Sequence, residues 1–286
     1  MEVPEIISGS PEWEGRLCKG ELLMITSSSN GKVKQVAQWQ KKARERREAG
    51  IFLTEGFKLF QEAPEESIRE VYLSEDALPR LEADAALRER LRRTGYETVS
   101  GEVFQKMSDT STPQGILCVV RRPEYTLDQL LGTPEPLLVV LENLQDPGNL
   151  GTILRTGEGA GVTGVILGRE TVDIYNPKTI RATMGSVFRV PFLCVENLRE
   201  TVVSVRKRGI RTYAAHLSGQ SCYDGFSFQG GTAFLIGNEG NGLSPEIAAL
   251  ADDLLRIPME GKVESLNAAV ATALLIYEAH RQRQVK

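Results

Sequence analysis

Short apolar runs alternate with polar, helix-patterned stretches along most of the chain. In the first half, Lys32–Ala49 has helical spacing and Ile51–Thr54 reads as a short strand. Gly56–Ala63 is a predicted helix and Glu70–Ser74 a strand. Pro79–Arg93, rich in Leu, Ala and Arg, is a helix, followed by a strand near Tyr96–Ser100, a short helix and the apolar strand Gly115–Val120. This order predicts a small α/β unit over 25–123, behind an acidic, loosely ordered lead-in at 1–24. Arg121-Arg122-Pro123-Glu124 breaks the pattern, and Gly132-Thr-Pro-Glu-Pro136 closes a linker over 124–136.

From 137 to 286 the apolar runs become unbroken: Leu137–Leu141, Gly164–Leu167, Thr212–Ala215, Ala233–Ile236 and Leu254–Ile257. Unbroken apolar runs mark strands buried on both faces, so the fold class is α/β, a mainly parallel sheet with helices on both faces. The last helix carries Leu266, Val270, Ala273 or Leu274, and Tyr277 at helical spacing, which predicts a buried stripe. Arg281 and Arg283 suit its C-terminal dipole.

Composition changes this picture little. The chain has 286 residues, 41% hydrophobic and 25% charged, ordinary for a globular protein. It has neither an apolar run long enough to span a membrane nor the basic, apolar start of an export signal. Cys18, Cys118, Cys194 and Cys222 are far apart and the histidines are His216 and His280, so no structural metal site is expected and the cysteines read as reduced thiols. The net charge is −4, yet residues 32–47 carry seven cations and one anion, a local +6. A charge run is usually a solvated helix face; here it could also track phosphates through Lys32, Lys34, Lys41, Lys42, Arg44, Arg46 and Arg47. Trp39 either stacks on a base or packs in the core.

Two glycine clusters invite a nucleotide reading. Gly157-Glu-Gly-Ala-Gly161 follows a helix and precedes a strand, the reverse of a dinucleotide site, and reads as a helix terminus and turn. Phe234-Leu-Ile-Gly-Asn-Glu-Gly-Asn-Gly-Leu-Ser244 has the right strand–loop–helix order, but its glycine spacing is wrong and Glu239 would repel a pyrophosphate. A cationic ligand would be favoured there. Two more segments leave strands for helices. One is 143–156, in which Asp146-Pro147-Gly148 reads as a turn and Asn149 as a helix cap. The other is 257–267, entering the final helix near Ser265.

Asn149-x-Gly-x-x-x-Arg155-Thr, Ile236-Gly-Asn-Glu-Gly-x-Gly-Leu243 and Ile257-Pro-Met-x-Gly-x-x-x-Ser-Leu-Asn267 together resemble the three ordered motifs of the SpoU (TrmH-type) RNA ribose 2′-O-methyltransferases of the SPOUT superfamily. The run 157–161 lacks an aromatic that many relatives carry after the first motif. Ile25–Asn30, Phe52–Gly56 and Thr112–Gly115 are similar to the L30e-like substrate-binding domain of such enzymes.

The resemblance implies a C-terminal trefoil knot and S-adenosylmethionine as methyl donor, without a metal. The donor would lie against Gly237, Ile257, Met259, Leu266 and Ala268. Arg155 would be the central catalytic residue, with Asn149, Glu239, Ser265 and Asn267 positioning it, the ribose or the donor. A guanidinium, with a pKa above about 12, is an awkward general base, so Arg155 is expected to grip a phosphate and stabilise the oxyanion. Asn30 and the basic segment would contact RNA, ribosomal RNA ahead of transfer RNA, in a cytoplasmic homodimer. Two rivals remain: a ribosome-binding module without catalysis, which would keep the basic segment but not Arg155, and a nucleotide-dependent oxidoreductase, which Glu239 opposes.

Overall fold

The computed structural model describes residues 24–260, 262 and 265–284, so nearly all of the expected lead-in, with Cys18, lies outside the described residues. The first half forms a four-stranded sheet of β1 (Ile51–Glu55), β2 (Ile68–Ser74), β3 (Glu97–Val99) and β4 (Ile116–Arg121). Its order is β1-β4-β2-β3, with β4 antiparallel to both neighbours. The second half forms a seven-stranded sheet of β5 (Leu137–Leu141), β6 (Gly164–Gly168), β7 (Phe192–Val195), β8 (Arg211–Ala215), β9 (Ser221–Cys222), β10 (Thr232–Ile236) and β11 (Asp253–Arg256). The order is β7-β6-β5-β10-β8-β11-β9, and every pairing is parallel.

A parallel sheet sends the C-terminal ends of all its strands to one edge, where ligands bind in such folds. The three motif segments leave β5, β10 and β11, and β5 and β10 are neighbours. Sheet topology alone therefore gathers the three motifs. Side chains of β5 alternate between the faces: Leu137, Val139 and Leu141 join one core, Leu138 and Val140 another. Helices Pro147–Ala160 and Ala268–Gln284 cover the first face, and Leu198–Lys207 the second. β7 and β9 escaped the pattern because one is half-buried and the other has two residues.

The two halves share a core. Phe52, Val71, Leu73, Ile116, Cys118 and Val120 of the first sheet belong to the same buried cluster as β5. Phe52 meets the rings of Tyr175 and Phe188 at 5.0 and 5.9 Å between centroids.

Local differences from the expected elements have physical causes. The stretch 32–49 is two helices, Gly31–Lys41 and Ala43–Ala49, broken at Lys42, which is extended at φ −119°. The break turns Arg46 inward. It is 2% exposed and donates to the carbonyls of Trp39 (2.6 Å) and Gln40 (3.2 Å) and to Asp173 Oδ2 (2.6 Å) of the second half. Arg46 is thus no phosphate contact, a correction to the basic-surface expectation, and buried Trp39 packs in the core. Likewise 79–93 divides into Leu78–Ala83 and Ala85–Thr94, because Asp84 caps the second helix through the Leu87 amide.

The final helix begins at Ala268, and its buried face is Ala268, Ala269, Thr272, Leu275, Ile276 and Ala279. The expected stripe points outward instead: Val270 is 49% exposed, Leu274 38% and Tyr277 47%. Small residues let this helix approach its neighbours closely, and their weak apolar signal hid the true inner face.

Removing one partner of a buried ion pair strands the other charge. Arg46→Ala is expected to lower unfolding free energy by about 3 kcal/mol or more. Arg44→Ala, which loses only an exposed pair with Glu48 at 2.7 Å, should change it by less than about 0.5 kcal/mol. Urea titration of both variants checks the contrast.

Candidate active site

The helix Pro147–Ala160 starts one turn earlier than Asn149 suggested. Asp146 is its cap, accepting from the Asn149 amide at 2.8 Å, and Pro147 fills the first position. An Asp-Pro pair is a recognised helix start, and that signal was present in the sequence. Freed from capping, the Asn149 side chain turns to the other two motifs.

Glu239 faces the start of this helix. Its carboxylate accepts from the amides of Gln145 and Asp146, each at 3.0 Å, and from Asn149 Nδ2 at 3.0 Å. A carboxylate only accepts, so Asn149 must present its amino group and leave Oδ1 as an acceptor. Asn267 Nδ2 donates to that oxygen at 2.9 Å. Asn267 Oδ1 in turn accepts from the amides of Ala269 (2.9 Å) and Val270 (3.3 Å), capping the final helix. Glu239 thus orients Asn149 from one side and the helix cap orients Asn267 from the other, and their shared bond ties all three motifs together.

Burial would raise the Glu239 pKa. The Asn149 amide and the two main-chain N–H groups outweigh it and hold the carboxyl below the usual glutamate range. The acid amid the glycines is accordingly committed to its own protein, not offset by a ligand.

The glycines permit the close approaches. A Cβ on Gly237 would fall 2.0 Å from the Gly242 carbonyl carbon, because Asn238 and Gly242 exchange two main-chain bonds directly beyond it. A Cβ on Gly151 would meet Ala182 Cβ at 2.4 Å, so the motif glycine seats its helix on Pro177–Thr183. The run 157–161 lies within the helix up to its left-handed cap Gly161, and Gly159 makes room for Tyr277 Oη. Glu142, which sequence reasoning missed, directly follows β5 and accepts from both Ser244 N and Oγ at 2.7 Å.

The chain matches the family model of the SpoU rRNA methylases over residues 136–277 and that of the MRM3-like substrate-binding domain over 30–118. It is 34% identical over 259 residues to the 23S rRNA guanosine 2′-O-methyltransferase RlmP of Bacillus subtilis, covering 88% of this chain and 97% of that one.

The chain belongs to the SpoU rRNA methylase family.

Solved members have the same fold. An AdoMet-bound rRNA methyltransferase from Sinorhizobium meliloti superposes with a TM-score of 0.80 at 31% identity, over 92% of this chain and 98% of that one. The SpoU methyltransferase AviRb from Streptomyces viridochromogenes, in complex with AdoMet, gives 0.80 at 28% identity, over 90% and 99%.

The remaining motif residues fall as follows. Arg155 is exposed two turns into its helix, and its guanidinium has neither hydrogen bond nor ion pair among the described residues. Ser265 is exposed just before the cap Asn267, Leu266 is half-buried and Ala268 buried. Ile257 packs on the main core and Met259 is half-buried. Gly261, Val263 and Glu264 of that segment lie outside the described residues. No main-chain amide of the described residues in 257–267 donates within the protein. No cluster of metal-ligating side chains occurs among the described residues.

On the basic segment, Asn30 caps its helix through the Lys32 amide, and Lys32 pairs with Glu97. Lys42 pairs with Glu45 at 3.6 Å and Arg44 with Glu48. Lys34, Lys41 and Arg47 are exposed without ion pairs among the described residues.

The depressed Glu239 pKa fixes a pH dependence. Its contribution to stability is complete above the unfolded value of roughly 4.3 and disappears as pH falls through the lower folded value. Glu239→Gln should cost about 1–2 kcal/mol at neutral pH, with the gap to the native protein closing in acid. Thermal melts from pH 7 down to about 3 measure it.

Proposed function

We propose that the protein methylates a ribose 2′-hydroxyl of large-subunit ribosomal RNA, using S-adenosylmethionine. The observation that carries this is the Glu239–Asn149–Asn267 chain, which locks three family motifs at one sheet edge beside an unengaged Arg155. S-Adenosylmethionine, when bound, supplies an electrophilic methyl group. Main-chain groups at Gly237, Ile257 and Leu266 would hold its adenosine portion, with Met259 and Ala268 lining the pocket.

A ribose hydroxyl is a poor nucleophile until it loses its proton. Arg155 grips the adjacent phosphate and stabilises the developing alkoxide, and that phosphate shares in taking the proton. Asn149 and Asn267 keep the loops in register, and Ser265 faces the same mouth. The choice of ribosomal RNA follows the name of RlmP and the separate substrate-binding unit. The expected place of action is the cytoplasm, with that RNA.

The active unit is a homodimer. Val270, Leu274 and Tyr277 on the final helix border a groove of about 490 Å³ with Thr152, Ala273 and Tyr223. Exposed apolar side chains gathered at one place mark an interaction surface. Thr152 is three residues from Arg155, so a partner seated there would complete the site. The late strand β10, inserted between β5 and β8 and packed under the final helix, supports a chain threaded at its C-terminus.

Arg155→Ala is expected to lower methyl transfer at least a hundredfold while S-adenosylmethionine binding persists, read by single-turnover transfer and calorimetry. Full activity in that variant would remove the role given to Arg155. Leu274→Glu should shift the protein to monomer in sedimentation and reduce transfer in parallel.

A further inference from the structure

The seam between the two halves carries a three-membered ion bridge. Arg189, just before β7, pairs with Glu62 of the first half and with Glu158 of the second. Ser186 Oγ also donates to Glu158 at 2.5 Å, and Arg189 Nη2 adds a second bond to it at 3.1 Å. The Arg189 bond holds the Glu158 carboxyl below its usual range, and both seam acids are engaged by Arg189.

Each acid shares a helix face with an exposed cation. Lys58 lies four residues before Glu62 on Phe57–Glu62, and Arg155 three residues before Glu158 on Pro147–Ala160. Both cations are exposed, and neither has an ion pair among the described residues. The bridge thus ties together two helices, one from each half, that each present an exposed cation without an ion pair. In the basic segment Lys32, Lys42 and Arg44 are matched by local acids and Arg46 is buried, which leaves Lys34, Lys41 and Arg47 as its exposed unpaired cations.

We propose that Lys58 is a substrate-positioning residue that binds an RNA backbone phosphate across the seam from Arg155, with Arg189 setting their spacing. This rests on the RNA-methylating function proposed above. Two phosphate grips on one rigid frame fix where the strand lies, and hence which ribose reaches Arg155. Phosphate contacts position a strand without reading its bases.

The test is filter binding of full-length protein to an unmodified 23S rRNA transcript, across roughly 50–200 mM salt. Lys58→Ala is expected to weaken binding several-fold and reduce the log–log salt slope by about 1. Lys58→Arg should restore both. Adding Arg155→Ala to Lys58→Ala should bring the loss of slope to about 2. Lys207→Ala, on the opposite face of the sheet, should leave both at the native values. A Lys58→Ala protein with native affinity and slope would overturn the proposal. Methyl transfer by the native protein to the same transcript is scored separately. Failure there counts against the proposed reaction and leaves the Lys58 result standing.

Discussion

The site depends on one carboxylate. Glu239 is the only member of the Glu239–Asn149–Asn267 chain with no choice of hydrogen-bonding role, and its acceptor character dictates the orientation of Asn149, while the helix cap sets that of Asn267. Without it, the Asn149 amino group would lose its acceptor, and Asn149 would be held from the Asn267 side alone. The three loops would still meet, because the parallel sheet delivers them to one edge, but they would meet loosely. Coarse placement comes from topology, and the final alignment from a short series of polar groups.

A second constraint operates at larger scale. Phe52 and its neighbours bury one face of the first sheet against the second half, and Arg46 crosses the same boundary to Asp173. Arg122 adds a cation over the Tyr175 ring at 4.1 Å. A substrate-binding unit on a loose tether would sample many positions. One sharing a core cannot, so it acts as a jig rather than an arm.

Much of this was legible in the sequence. The strands of the second sheet announced themselves because burial on both faces leaves no polar residue to interrupt them. The motifs were visible since backbone approaches as close as those at Gly237 and Gly151 admit only glycine. What escaped depended on partners far away in the chain. Arg46 looks like any cation of a basic run until Asp173 is brought to it. Glu239 looks free until the amides of Gln145 and Asp146 arrive. The final helix was read inside out, because Ala and Thr seal a tight interface while contributing little to an apolar pattern, whereas Val270, Leu274 and Tyr277 stand out. The start of the Pro147 helix was a plain misreading: the Asp-Pro signal was available.

The strand order has a cost during synthesis. β10 belongs between β5 and β8 yet emerges from the ribosome after both. Until it arrives, Leu137–Leu141 presents an unpaired, wholly apolar edge, which is a template for pairing with another chain. The nascent protein therefore carries its most adhesive surface through the interval in which roughly a third of its length is still being translated. Parallel pairing between distant segments is also slow. Such a molecule is expected to need shielding while it is made, and to be far safer once its C-terminal segment has closed the gap.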